Sequence, residues 1–160
     1  NCFDYAEVYK LELWISGYVD NYEDLLKIRN DSLSSHLNKN LDSYDDYYLL
    51  KNDLLKLRNT KMWSKKIPQM LNGYFIDMEK VLKNSYIALK KKGFCVIIVG
   101  NSAYSGHIIE TDKILSKMAL KIGFSSAKII IARKLRASSQ QAKLLKNSNS
   151  LRESLIILQK

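Results

Sequence analysis

Residues Phe94–Ser102 read Phe-Cys-Val-Ile-Ile-Val-Gly-Asn-Ser, and this stretch decides the predicted fold. Its six apolar residues do not alternate with polar ones, a pattern typical of a parallel strand that is buried on both faces. Gly100, Asn101 and Ser102 end the strand. Because open α/β sheets bind ligands beyond the carboxyl ends of their strands, the sequence predicts a candidate site there.

Helical patterns flank this strand on both sides. Apolar residues at intervals of three and four predict a helix over Gln69–Lys92, with Lys90–Lys92 in its last turn and Gly93 as its C-terminal cap. After the strand, Thr111 is predicted to cap a second helix that Gly123 closes. A helix, a strand and a helix in this order predict an α/β unit.

Two further strands are predicted over Lys128–Leu135 and Leu151–Gln159. The segment between them is polar and basic and has no helical pattern of useful length. Because a parallel pair needs a crossover of about a dozen residues, usually helical, we expect these strands to pair antiparallel as a hairpin.

The first part of the chain has a weaker pattern. Residues 3–29 have helical spacing that is interrupted at Ser16–Gly17, which predicts two helices with a break. Residues 30–50 follow no clean period, and we interpret 30–68 as an insertion in a single domain over 1–160. Trp14 and Trp63 are predicted to pack in a core, as large aromatic residues at helical spacing usually do.

The composition is that of a soluble globular protein, with 46% hydrophobic and 26% charged residues. No apolar run approaches the roughly 20 residues of a membrane span, and no signal peptide is visible. Cys2 and Cys95 lie far apart, and His36 and His107 have no ligand-like companions at useful spacing. We therefore expect a cytoplasmic protein without a metal site and without a membrane partner.

The net charge of +10 is unevenly distributed along the chain. Residues 1–60 carry 7 Lys and Arg against 11 Asp and Glu, whereas residues 61–160 carry 19 against 5. A basic excess of this kind can supply a face that binds nucleic-acid phosphates. A solvated, lysine-rich surface explains the charge equally well.

Six short segments, taken in order, resemble the amino-methylating DNA methyltransferases that depend on S-adenosylmethionine. They are Asn1–Trp14, Val99–Gly106, Thr111–Asp112, Gly123–Phe124, Arg133–Arg136 with Ser138–Gln141, and Leu151–Ser154. The first of them looks like the stretch that follows the family's catalytic Ser-Pro-Pro-Tyr tetrapeptide. The resemblance implies an α/β fold, the second half of a class I (Rossmann-like) methyltransferase sheet, with a parallel strand flanked by helices and then a terminal antiparallel hairpin.

The resemblance also implies an activity, the transfer of a methyl group from S-adenosylmethionine to an exocyclic amine of a DNA base. Cytosine N4 is favoured over adenine N6. The chain has one proline, Pro68, and no GxGxxG-like segment, so it contains neither the tetrapeptide nor the family's glycine-rich cofactor loop. We therefore expect a fragment that is inactive alone and needs a missing N-terminal half, on the same gene product or a partner chain. A half-sheet of this kind exposes an edge and should self-associate.

The resemblance assigns candidate roles to three groups of residues. Phe3, Asp4 and Tyr5 would form the rim of the catalytic pocket, although ordinary packing and capping at a helix start explain them too. The cofactor side would include Asn1, Asn101 and Ser102, the last two of which also suit an ordinary turn. The predicted DNA contacts, which a solvated loop would also explain, are Arg133, Lys134, Arg136, Ser138, Ser139, Gln140 and Gln141.

Two other functions are consistent with these residues. One is an RNA methyltransferase of the same fold, and the other is a nucleic-acid-binding module without catalysis. Arg152 and Glu153, at the start of the last strand, are interpreted as a structural ion pair rather than as site residues.

Overall fold

The structure is a computed structural model, and it describes residues 4–37, 45–136, 144–145 and 151–160. Six helices and five strands are found in these ranges. In chain order they are α1 (Tyr5–Val8), α2 (Lys10–Ile15), α3 (Tyr22–Asp31), α4 (Lys51–Arg58), α5 (Ile67–Ala88), β1 (Phe94–Gly100), β2 (Ser102–Tyr104), β3 (His107–Ile109), α6 (Thr111–Ile122), β4 (Ser126–Lys134) and β5 (Arg152–Gln159).

Three strands form the main sheet in the order β1-β5-β4. The last strand lies in the middle and runs antiparallel to both neighbours, with Ile156 opposite Ile97 on one side and Ile129 on the other. The antiparallel pairing of the final two strands is therefore confirmed. The expected parallel pairing of β1 is not observed in the described residues, where β1 pairs antiparallel with β5. Strands β2 and β3 form a separate antiparallel hairpin.

The core lies on one side of this sheet. Helix α6 packs against all three strands, and α5 packs against α6. The side chains between these layers are fully or almost fully buried, and among them are Phe75, Leu82, Leu115, Met118, Ile156 and Leu158. The result is a mixed α/β arrangement whose helical layer covers one face of the sheet.

The prediction that β1 is buried on both faces was wrong. Burial alternates along the strand, and Phe94, Val96 and Ile98 are 60%, 53% and 64% exposed. Cys95, Ile97 and Val99 point the other way and pack against the core. The run of apolar residues correctly indicated a strand, but the described helices cover only one of its faces.

The helix before β1 ends earlier than its sequence predicts. Helix α5 stops at Ala88, and Leu89 is already extended, so Lys90–Lys92 lie beyond the last turn. The left-handed residue is Lys92, with φ of 62°, and not Gly93. The connection is held by the backbone of Lys160. Its N–H donates to the Gly93 carbonyl, and its carbonyl accepts from the Lys92 N–H, each at 3.0 Å. Strand pairing at the far end of the chain therefore outweighs the local capping pattern.

The ends of α6 match the sequence in part. Gly123 closes the helix with φ of 126°, as predicted. At the other end, the cap position belongs to Glu110, and Thr111 is the first helical residue and is buried. The expectation that Thr111 caps this helix was wrong by one position.

The helices before α5 are only partly joined to the core. The predicted break after α2 is present, and Leu50, Leu54 and Leu57 from the region of α4 are fully buried in the main core. Trp14 and Trp63 are 62% and 69% exposed, so the prediction that they pack in a core was wrong. Helical spacing marks a face but does not say what covers it.

None of the helices in the described ranges is long and apolar enough to cross a membrane.

Candidate active site and nucleic-acid interface

The carboxyl end of β1 leads into a buried polar residue, Asn101. Its backbone N–H donates to the carbonyl of Arg152 at 2.9 Å, and its side-chain Oδ1 accepts from the backbone N–H of Asp112 at 3.2 Å. Asn101 therefore joins the end of β1 to the start of β5 and to the first turn of α6. The turn that the sequence predicted at this position is an ordered junction of three elements.

Asp112 is the fully buried centre of this junction. Its Oδ2 accepts from Arg152 Nε and from Ser154 Oγ, each at 2.8 Å, and its Oδ1 accepts from the Lys113 backbone N–H at 2.8 Å. Burial by itself would raise the pKa of this carboxyl, but the hydrogen bonds from Arg152, Ser154 and Asn101 outweigh burial and lower it. Asp112 is therefore ionised at neutral pH and neutralised by Arg152. We call Asn101, Asp112, Arg152 and Ser154 the Asp112 cluster.

Ser102 begins the β2–β3 hairpin, which folds against the region of α4. Ser105 and Gly106 form its turn with positive φ angles of 48° and 82°. The hairpin is fixed by His107, whose Nε2 lies 2.9 Å from Asp53 Oδ1, and by Ser105 Oγ, which donates to the Lys61 carbonyl at 3.1 Å. The candidate site at the end of β1 is thus bordered by residues of the predicted insertion.

The predicted DNA-contacting cations lie at the same edge of the sheet as Asn101. Lys134, the last residue of β4, is opposite Arg152, whose carbonyl bonds the Asn101 backbone. Beyond the strand, the Leu135 backbone N–H donates to the Leu151 carbonyl at 2.9 Å. The end of β1, the end of β4 and the start of β5 therefore meet at one edge.

The exposed basic residues at this edge differ in their surroundings. Arg133 Nε lies 2.7 Å from Glu153 Oε2, so its charge is paired. Lys134 and Arg136 are exposed at the end of the strand and just beyond it. The remaining predicted DNA contacts, Ser138–Gln141, lie outside the described residues. The structure thus brings three of the predicted cations to the edge that carries Asn101.

The predicted rim residues Asp4 and Tyr5 lie at the start of α1. Asp4 caps the helix, because its Oδ1 accepts from the Glu7 backbone N–H at 3.2 Å, and its Oδ2 lies 2.7 Å from the buried Arg29 Nε. The structure therefore confirms that Asp4 caps the helix start. Tyr5 is 60% exposed and stacks on Tyr9, with ring centroids 6.1 Å apart. Asn1 and Phe3 lie outside the described residues.

Sequence reasoning missed the roles of Asp112 and Arg152. The sequence suggested an ion pair between Arg152 and Glu153, but each residue pairs with a different partner, Asp112 and Arg133 respectively. Asp112 stands 40 residues from Arg152, and an acidic residue in the first turn of a helix is common. No local pattern distinguishes this buried carboxylate from a solvated one.

Within the described ranges, no group of three or more metal-ligating side chains is arranged to hold a metal ion.

Comparison with curated proteins points to one family. The whole chain aligns at 29% identity with the Type II methyltransferase M.AvaI of Nostoc sp., and equally with the protein of that name from Anabaena variabilis. This chain resembles Type II methyltransferases. A third such methyltransferase, M.BsoBI of Geobacillus stearothermophilus, is 27% identical over the whole chain. The chain spans 36% of the length of each of these relatives. No family model matches the chain, and no solved structure is significantly similar to it.

Proposed function

We propose that this chain is the C-terminal part of a Type II DNA methyltransferase, which transfers a methyl group from S-adenosylmethionine to an exocyclic amine of a DNA base. Cytosine N4 is the favoured target and adenine N6 the alternative. Similarity to Type II methyltransferases over the whole chain supports this proposal. The missing part, with the catalytic tetrapeptide and the glycine-rich loop, would lie on the same gene product or on a partner chain.

One structural observation carries the proposal. The strand end with Asn101 and Ser102 shares an edge of the sheet with Arg133, Lys134 and Arg136. A base whose amine accepts a methyl group must leave the duplex and enter a pocket while the neighbouring phosphates stay bound. A buried polar strand end beside exposed cations suits these two requirements, since cations fix the backbone without reading sequence.

The chemistry depends on positioning, because the lone pair of an exocyclic amine is delocalised into the ring and the amine is a poor nucleophile. The proposed reaction needs hydrogen-bond acceptors at the amine, an aromatic surface against the base and an in-line methyl donor. In this proposal, Tyr5 and Phe3 form part of the pocket wall. Asp4 positions that wall, because it holds α1 against Arg29.

The described residues fit only a small part of a cofactor site. S-adenosylmethionine would supply an activated methyl group on its sulfonium. Asn101 already uses its backbone N–H and Oδ1 within the Asp112 cluster, which leaves the half-buried Ser102 as the nearer candidate contact. Because the sequence has no glycine-rich loop, we expect the chain alone to bind S-adenosylmethionine poorly.

The same proposal assigns the fold. Strands β1 and β4 point in one direction with β5 inserted antiparallel between them, an arrangement that fits the end of a class I methyltransferase sheet. In a complete enzyme, β1 would pair in parallel with a strand that this chain does not contain. Residues 30–68 would be an insertion in that single domain.

The test uses the complete coding region and its product. We expect the sequence that precedes Asn1, or a neighbouring reading frame, to encode Ser-Pro-Pro-Tyr or Asp-Pro-Pro-Tyr and a glycine-rich loop. The complete protein, incubated with S-adenosylmethionine labelled in the methyl group, should label duplex DNA. Nuclease digestion and mass spectrometry then identify N4-methylcytosine or N6-methyladenine.

Each alternative function predicts a different result. Label in transfer RNA and not in DNA would replace the proposal with an RNA methyltransferase. Salt-dependent DNA binding without any methyl transfer, and without a tetrapeptide in either coding region, would favour a binding module.

A further inference from the structure

The turn of the β2–β3 hairpin lies against the backbone of Leu144, a residue of the segment that joins β4 to β5. A Cβ atom placed on Gly106 would lie 2.8 Å from the Leu144 carbonyl oxygen and 3.3 Å from the Leu144 Cβ. Even a weak C–H···O contact keeps carbon and oxygen about 3.3 Å apart, so only glycine fits here without a shift. The hairpin and the β4–β5 segment therefore meet at a point that leaves no room for a side chain.

We propose that Gly106 is a positioning residue of the DNA interface, because it seats the β4–β5 segment on the hairpin. The inference rests on the proposed function, and it concerns a residue that does not itself contact DNA. Arg136 precedes Leu144 in the chain, and the predicted DNA contacts Ser138–Gln141 lie between them in the sequence. The position of Leu144 therefore limits the paths that these residues can take.

The β4–β5 segment is anchored at two points. At its start, the Leu135 backbone N–H donates to the Leu151 carbonyl at 2.9 Å, and further along it the Leu144 backbone lies on Gly106. A segment that is fixed before it binds loses less conformational freedom on binding. The contact with Gly106 should therefore increase the affinity for DNA.

The hairpin is the fixed partner in this contact. Its turn is held by Ser105 Oγ, which donates to the Lys61 carbonyl at 3.1 Å, and its second strand ends in the fully buried Ile109. The side chain of Leu144, in contrast, is 56% exposed. A side chain added at position 106 should therefore displace Leu144 and leave the hairpin in place.

The same hairpin begins at Ser102, directly after Asn101 at the end of β1. Strands rise about 3.3 Å per residue, so Gly106 lies at most roughly 13 Å from Ser102. The strand end of the candidate site and the β4–β5 segment therefore share one support.

Backbone strain is the competing explanation for any effect of a substitution at Gly106. Its φ of 82° lies in the left-handed region, which a residue with a Cβ atom adopts at a cost. Gly17 provides the matched control, because its φ is 73° and an added Cβ would meet nothing within 4 Å. Substitution at Gly17 thus produces the strain without the contact.

The experiment uses the complete methyltransferase with Ala or Asn at each of the two positions. The variants are Gly106→Ala, Gly106→Asn, Gly17→Ala and Gly17→Asn. Fluorescence anisotropy over a range of salt concentrations gives the Kd for duplex DNA, and methyl transfer gives kcat and KM. Urea unfolding shows which variants are folded. Asn adopts positive φ more readily than Ala does, so the Asn variant keeps the test possible if Gly106→Ala does not fold.

We expect both Gly106 variants to raise the Kd for DNA by about tenfold, as the loss of a DNA contact does. The slope of log K against log salt concentration should fall by about 1, the contribution of one phosphate contact. KM should rise while kcat stays within about threefold of wild type, because binding and not chemistry is impaired. Both Gly17 variants should leave Kd and KM within about twofold of wild type.

Three results would overturn the inference. The first is an unchanged Kd in folded Gly106 variants. The second is a loss in Gly106→Ala that Gly106→Asn restores, because backbone strain would then be the cause. The third is a fall in kcat without a change in KM, because the hairpin and not the β4–β5 segment would then have moved.

The two proposals fail separately in this experiment. Weaker DNA binding by the Gly106 variants of a protein that transfers no methyl group keeps the role of Gly106 and removes the proposed function. Methyl transfer to DNA that is insensitive to both Gly106 variants does the opposite.

Discussion

Arg152 Nε lies 2.8 Å from Oδ2 of the fully buried Asp112, and this ion pair joins the start of β5 to the first turn of α6. The same Asp112 bonds Ser154 through its side chain and Asn101 through its backbone. One residue therefore fixes the relative positions of the three elements that border the candidate site. The geometry of that site depends on a pair whose members are 40 residues apart in sequence.

Replacing Asp112 should destabilise the protein strongly. Asp112→Asn removes the charge that neutralises Arg152, whose side chain is only 16% exposed. Loss of one partner of a buried pair costs on the order of 3–5 kcal/mol, and we expect about 2–4 kcal/mol here because Arg152 reaches some solvent. Urea unfolding of the two proteins measures the difference.

Glu153→Gln is the matched control for this prediction. Glu153 is the next residue in the same strand, and its partner Arg133 is 69% exposed. An exposed pair contributes about 0–1 kcal/mol. A loss as large for Glu153→Gln as for Asp112→Asn would show that burial does not set the strength of the Asp112 cluster.

The Asp112 cluster should also make stability depend on acid pH. Because the pKa of Asp112 is lower in the folded protein than its ordinary value of about 4, the unfolded chain takes up its proton first. The stabilisation by Asp112 is therefore complete above that ordinary value and is lost as pH falls through the lower, folded pKa. The difference in unfolding free energy between wild type and Asp112→Asn should be largest near pH 7 and smaller at pH 3. A difference that stays constant would contradict this assignment.

Cations at the candidate interface should control the salt dependence of DNA binding. Each phosphate contact contributes about 0.9 to the slope of log K against log salt concentration. Lys134→Ala and Arg136→Ala should each weaken binding and reduce the slope by about 1, as measured by fluorescence anisotropy on duplex DNA.

Lys91→Ala is the control for this charge effect. Lys91 is also exposed but precedes β1, so it lies at the opposite end of the strands. Lys91→Ala removes the same charge. Since each lost phosphate contact changes the slope of log K against log salt concentration by roughly one unit, this variant should stay within about 0.3 of the wild-type slope. Equal effects at both ends would mean that the chain binds DNA by its overall charge.

Tyr5 should affect catalysis more than folding. It is 60% exposed and stacks on Tyr9, so Tyr5→Ala should change the unfolding free energy by less than about 1 kcal/mol. If Tyr5 lines the pocket of the complete enzyme, the substitution should lower kcat/KM for DNA by about tenfold, the loss of roughly 1.4 kcal/mol. Tyr18→Ala, at a 74% exposed tyrosine, is the control and should leave kcat/KM unchanged.

The sequence predicted the helices and strands around β1 better than the order in which the strands pair. The long helix and the strand follow from local periodicity. The antiparallel pairing of the last two strands follows from the lack of a helical pattern in the sequence between them. The insertion of β5 between β1 and β4 does not follow, because both neighbours present similar apolar runs. In the structure β5 pairs with both of them, and all three strands pack on α6.

Side-chain partners were the least predictable part of the candidate site. Asp4 has two interpretations in the sequence, and its interaction with Arg29 is visible only once α1 and α3 are packed. The apolar residues of β1 indicate burial on two sides, yet Val96 is half exposed in this chain. Local patterns predict whether a residue prefers a buried site or a polar partner. The residues that cover it or bind it come from distant segments of the chain.

The central position of β5 has a consequence for how the protein is made. Val96 pairs with Ile157, about 60 residues later, and β1 and β4 are joined in the sheet through β5. At a synthesis rate of about 5–20 residues per second, β5 is made roughly 3–12 seconds after β1. During that interval, the side of β1 that β5 will occupy has unpaired backbone groups. The three-stranded unit β1-β5-β4 can therefore form only when β5 has left the ribosome.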